Sequence, residues 1–142
     1  MRVFPGQSCT SHHLCLCPRP TIVPRHGRRP GPSLSKPQAQ EAVIVKHYPN
    51  SFRETGLQAL LEEQGIEEVV VVGAMSHMCI DATARAAADL GYGVTVVADA
   101  CATRDLEFAG KTVAAADVHA AFMSALAFGY ANVVAADDLP VK

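Results

Sequence analysis

The chain predicts an α/β fold, a three-layer α/β/α arrangement around a parallel sheet, with an irregular N-terminal part. Three observations predict it. From Glu41 onward, short β-branched runs alternate with helical segments, and the links between them are brief. Such alternation implies right-handed βαβ units and a sheet covered by helices. Composition also changes abruptly at residue 41, so the ordered unit is residues 41–142. The whole chain of 142 residues, with 49% hydrophobic and 18% charged side chains, suits one domain with a real core.

Element by element, Ala42-Val-Ile-Val45 is a short apolar strand ending at Lys46, and residues 47–51 form a loop. Residues 52–64 read as a helix with Phe52, Leu57, Leu60 and Leu61 inward, Arg53, Glu54, Glu62 and Glu63 outward, and Gly65 as its stop. Four valines, Val69 to Val72, ending at Gly73 read as a strand buried on both faces. An Ala-rich helix then runs from Ser76, its natural N-cap, to Leu90, closed by Gly91 and Gly93. Residues 94–98 give the next strand and residues 100–110 a loop with about one helical turn. A long helix covers residues 112–128, closed by Gly129, and residues 132–135 make the last strand.

Residues 1–40 are different. They contain seven of the nine prolines, six Lys or Arg, and no Asp or Glu; residues 41–142 carry all fourteen acids against six bases. Apart from the short Thr21-Ile-Val23, hydrophobic periodicity is absent there, so burial cannot offset the entropy of ordering. The segment has no apolar core of a signal peptide, and its prolines break any amphipathic transit helix. Its composition reads as sequence joined in another frame or from a misplaced start. A net charge of −2 argues against a nucleic-acid partner, and no apolar run approaches the ~20 residues of a membrane helix. The five cysteines show no pairing framework, which points to a reducing cytoplasm.

In a parallel sheet, ligands bind beyond the carboxyl ends of the strands. Lys46, residues 74–79 and residues 99–103 all fall at those ends. Cys79 lies in the first turn of its helix, where free N–H groups and the helix dipole favour a thiolate. It reads either as a nucleophile or as a small buried residue. Lys46 is either the polar end of a strand or a cation aimed at the rim. Cys101 reads as core packing, Asp81 as a dipole partner, Arg85 as a surface or interface residue, Asp99 as a candidate acid, and His119 as a packed or interface histidine. His12, His13, Cys15 and Cys17 lack the spacing of a structural zinc site. Gly91-Tyr-Gly93 is a helix-to-strand turn and not a phosphate loop.

At Gly73-Ala-Met-Ser-His-Met-Cys79 with Thr83-Ala-Arg85, the chain resembles the isochorismatase-like cysteine hydrolases, which include nicotinamidases. The resemblance extends through Val45-Lys-His-Tyr-Pro-Asn-Ser-Phe52, Gly91 to Val97, Asp99 to Asp105 and Val118-His-Ala120, and is closest to the YcaC-like subgroup. It implies a Rossmann-like topology, Cys79 as nucleophile and Lys46 as the lysine beside it. The Ala74–Met75 peptide matches a bond that is cis in the family. The N–H groups of Met75 and Cys79 match its oxyanion hole, and Phe52 and Ala74 match positions at the substrate pocket. The implied reaction is acyl transfer from a small amide to Cys79, followed by hydrolysis of the thioester; some relatives instead cleave a vinyl ether without a covalent step. No cofactor is implied. No metal is expected either, since no ligand cluster stands between Lys46 and Cys79.

One departure stands out. The family's third catalytic residue is an aspartate ending its first, central strand, and residues 1–40 contain none. The expected sheet therefore lacks its middle strand. The alternative is a catalytically impaired fragment serving as a binding or assembly subunit. A redox thiol protein fits poorly, because no resolving cysteine lies near Cys79 in sequence. The expected partners are a small-molecule substrate and, because residues 112–128 are apolar around most of a helix, further copies of the chain in a homo-oligomer.

Overall fold

The computed structural model describes residues 42–139 and, as backbone strands, residues 2–5 and 21–24. Among the described residues, eight strands and three α-helices follow in chain order: β1 (Arg2–Pro5), β2 (Thr21–Pro24), β3 (Val43–Lys46), α1 (Leu57–Glu63), β4 (Glu68–Ala74), α2 (Asp81–Asp89), β5 (Gly93–Ala102), β6 (Leu106–Phe108), β7 (Lys111–Val113), α3 (Ala115–Gly129) and β8 (Asn132–Val134). A turn of π-helix, Ser76–Ile80, leads directly into α2. Six strands form one sheet in the order β3-β2-β1-β4-β5-β8, and β6 and β7 form a separate hairpin. The α/β architecture is the expected one.

Two corrections concern the sheet. Thr21-Ile-Val23 and the first residues of the chain do form strands, although residues 1–40 read as irregular. The place beside β4 is therefore filled by β1, running antiparallel with Arg2 opposite Val72 and Pro5 opposite Val69. The sheet is accordingly mixed: β2 with β3, β4 with β5 and β5 with β8 pair in parallel, and β1 alone runs against them. Residues 6–20 and 25–41, with His12, His13, Cys15 and Cys17, lie outside the described residues.

The core forms where apolar periodicity is strongest. Val69 and Val71 of β4 and Val94 and Val96 of β5 meet Leu57 and Leu61 of α1, Ala84 and Ala87 of α2, and Met123 and Leu126 of α3 in one buried cluster. Val70 and Val72, on the other face of β4, are half-buried, as a strand covered on both sides requires.

Helix α1 is shorter than the apolar spacing suggests, starting at Leu57 rather than Phe52. Glu54 adopts a left-handed φ of 54°, which no helix interior accepts, and Thr55 Oγ1 accepts the Leu57 N–H. The expected end at Gly65 is observed: its φ is 62°, its N–H reaches the Glu62 carbonyl, and the Ile66 N–H reaches the Leu61 carbonyl. Residues 106–113, read as loop and helix start, are instead a hairpin. Its two-residue turn, Ala109-Gly110, has φ values of 51° and 75°, the double left-handed geometry that matches strand twist. Helix α3 therefore begins at Ala115, whose N–H is taken by Asp105 Oδ1 at 2.7 Å.

Candidate active site

Strands β2, β3, β4, β5 and β8 share one direction, so their carboxyl ends form a common rim. Residue Cys79 enters it from the π-turn after β4. The Ala74–Met75 peptide is cis, and Gly73 has a φ of 127° where the pairing of β4 with β5 shifts register. Past that shift, Gly73 and Ala74 face Cys101 and Ala102, which carries β5 further than expected and brings Thr103 over the turn. His77 Nδ1 lies 2.6 Å from Thr103 Oγ1, and the His77 ring meets the Phe122 ring edge-on at 6.1 Å.

Ser76 is not the helix cap. The cap position is Met75, in extended backbone, and its carbonyl receives the N–H groups of Met78 and Ile80. Ser76 is fully buried, with Oγ 2.8 Å from His119 Nδ1 on α3. Of the two readings of His119, packed or interface, this contact within the chain fits the first. Cys79 itself is a free thiol, half-buried rather than sealed in the interior.

Lys46 reaches this turn indirectly. With β2 and β1 standing between β3 and β4, strand spacing alone puts Lys46 roughly 14 Å along the sheet from β4. The loop 47–51 crosses that gap. Lys46 is 3% exposed, and its Nζ donates to the carbonyls of Tyr48 (2.9 Å) and Pro49 (2.7 Å). The Pro49 carbonyl also lies 3.3 Å from Thr83 Oγ1, which accepts the Ser51 N–H at 3.1 Å and sits 3.0 Å from Ser51 Oγ. Thr83 is four residues after Cys79, hence on the same side of the helix one turn away. A chain of polar contacts therefore runs from Lys46 through Pro49 to the thiol's own helix face. The sequence assigns Ser51 and Thr83 no role, because nothing in Asn50-Ser51-Phe52 or Ala82-Thr83-Ala84 signals that the two hydroxyls meet.

The remaining candidates separate. Phe52, expected at the substrate pocket, stacks instead on Tyr92 with ring centroids 6.0 Å apart and packs against the core, beside the turn where α2 ends. Asp81 pairs with Arg85 at 2.9 Å, and Arg85 lies over the Tyr130 ring at 4.5 Å. Asp99 Oδ1 takes the Ala136 N–H and so serves the chain after β8. Cys101 packs against the core; burial pushes its thiol pKa up, against a hydrogen bond with the Gly73 backbone that pulls it down. Among the described residues no group of three or more His, Cys, Asp and Glu is placed to hold a metal ion.

Comparison with known proteins places the fold in a family. The isochorismatase domain model matches residues 24–138. The isochorismatase family protein YddQ of Bacillus subtilis strain 168 is 55% identical over 98 residues, covering 69% of this chain and 54% of its own length. Nicotinamidase 3 of Arabidopsis thaliana is 35% identical over 99 residues, 70% of this chain and 45% of its own. Shorter matches bear the names streptothricin hydrolase, from Streptomyces noursei, and maleamate amidohydrolase, from Pseudomonas putida. Among solved structures, an isochorismatase-type hydrolase from Oleispira antarctica superposes with a TM-score of 0.70 at 63% identity, over 72% of this chain and 54% of that one. The chain thus spans about half the length of YddQ and of the Oleispira protein. Matched along most of its length, it belongs to the isochorismatase family.

Proposed function

We propose that the chain is a cysteine hydrolase acting on a small amide or related C–N bond through Cys79 and Lys46. The observation that carries this reading is the placement of Cys79: half-buried, in the first turn of a helix that leaves the central strand β4, at the rim where β4 and β5 end. The relatives named nicotinamidase, streptothricin hydrolase and maleamate amidohydrolase support the substrate class.

In this mechanism the Cys79 sulfur attacks the amide carbonyl carbon, forming a C–S bond while the carbonyl oxygen becomes an oxyanion. The N–H groups of Met75 and Cys79 donate to that oxygen, where negative charge develops. Collapse breaks the C–N bond, and the amine leaves with a proton. Water then adds to the thioester, releasing the carboxylic acid and returning the thiol. Lys46 holds loop 47–51 through two carbonyls and has a third N–H for a substrate oxygen or a proton relay. Ala74, exposed beside the cis peptide, borders the space where substrate sits. Neither a cofactor nor a metal enters these steps. A reducing cytoplasm keeps the thiol competent.

A second reading has its own support. Residues 1–40 contain no Asp or Glu, and β1, the strand beside β4, contributes none to the site. Without a general base, turnover falls by roughly 10²–10⁴-fold. The chain would then act as an impaired binding or assembly subunit. Iodoacetamide labelling at pH 6, followed by peptide mapping, separates the two. Cys79 labelling faster than a free thiol supports the hydrolase; labelling at the rate of a free thiol supports the impaired subunit.

A further inference from the structure

Ser76 and Cys79 have the spacing of an N-cap and the third helical residue, the pair in which a serine hydroxyl ordinarily accepts the third residue's N–H. Here that hydroxyl is directed elsewhere. Ser76 is fully buried, and its hydroxyl is bonded to the half-buried His119 at Nδ1, 2.8 Å away on α3. The helix opens one residue earlier, on Met75, with the Met75 carbonyl taking the N–H groups on either side of Cys79 in sequence, those of Met78 and Ile80. His77 is drawn away in the same fashion, to Thr103. Both polar side chains of the first turn are thus tied to flanking elements rather than to the turn's own amides.

From this arrangement we infer that His119 is a positioning residue for the Cys79 amide. By holding Ser76 Oγ against α3, it stops that hydroxyl from capping the Cys79 N–H and leaves the amide free to meet the oxyanion of a bound amide substrate. The inference rests on the reading of Cys79 as nucleophile. An amide already bonded to Ser76 would have to give up that bond as the oxyanion forms, so the loss falls on the transition state and not on substrate binding.

The test uses the full chain and four variants: His119→Phe, His119→Asn, Ser76→Ala and the Ser76→Ala/His119→Phe double. It has two readouts, the kcat and KM for hydrolysis of nicotinamide and other small amides, and hydrogen exchange of the Cys79 amide by NMR. Phenylalanine fills the imidazole's space without a polar atom, so His119→Phe should lower kcat by about tenfold or more with KM little changed. The same variant should slow Cys79 amide exchange by about tenfold as Ser76 caps it. His119→Asn keeps a partner for the hydroxyl and should retain most of both properties. In the Ser76→Ala background no hydroxyl remains to cap the amide, so adding His119→Phe should change kcat by less than about threefold. A histidine acting independently of Ser76 would cost the same in both backgrounds. That result, or Cys79 exchange unaltered by His119→Phe, overturns the inference. If the wild type hydrolyses none of the amides while the exchange pattern holds, the control of the Cys79 amide by His119 stands and the hydrolase reading falls.

Discussion

A lysine buried to 3% exposure is costly unless its ammonium is satisfied, and Lys46 meets that need with two main-chain carbonyls of the loop it anchors. The same logic sorts the two cysteines. Cys79 stands half-buried in a helix's first turn, whereas Cys101 packs into the core with its pKa raised by burial. That shift has a sign for stability. At neutral pH both folded and unfolded Cys101 hold their proton. As pH climbs past the ordinary thiol value, the unfolded chain ionises first, so folded stability declines with pH. Urea titrations across that range should show the decline flattening in Cys101→Ala. At this scale the sequence displayed Cys79 clearly, because a β-branched run, a turn and an Ala-rich helix bracket it. The stacking partner of Phe52 is not legible in the sequence, because an aromatic ring on a loop finds its partner through tertiary packing, here Tyr92, forty residues away.

Elements hold the site through side chains whose importance only their contacts reveal. Thr83 sits on the Cys79 side of the helix and joins α2 to loop 47–51 through the Ser51 N–H, Ser51 Oγ and the Pro49 carbonyl. Thr83→Val keeps the shape and removes the hydroxyl, so it should cost about 1–3 kcal/mol in urea denaturation and lower activity by loosening the loop that Lys46 anchors. The cores of β4, β5 and α2 were legible because four valines, a second Val-rich run and an Ala stripe each carry a strong period. The N-terminal limits of α1 and α3 were not. At Glu54 a left-handed residue stops α1, and at residues 106–113 a hairpin with a two-residue left-handed turn displaces the start of α3. Backbone sign at single residues is invisible to apolar periodicity. Ser76 was assigned to the cap by spacing alone; a histidine forty-three residues later decided otherwise.

For the whole molecule, sheet order explains how distant segments meet at one rim. Strand β3 lies three positions from β4, yet its lysine reaches the thiol's helix by way of a loop lodged on Thr83. The pairing of β1 with β4 could not be foreseen, because Arg2-Val-Phe-Pro5 carries no periodic pattern and wins its place by the hydrogen bonds β4 has to offer. The apolar face of α3 retains exposed residues, among them Ala120, Ala127 and Phe128, the last 96% exposed. We propose that copies associate through it. Phe128→Glu should then shift the molecular mass measured by light scattering toward the monomer, while an unchanged mass would place the interface elsewhere. The most direct trial of Cys79 as nucleophile is peptide mapping by mass spectrometry after brief incubation with a small amide and acid quenching. An acyl increment on the Cys79 peptide, lost together with hydrolysis in Cys79→Ala, is the expected result; hydrolysis that survives Cys79→Ala contradicts the assignment.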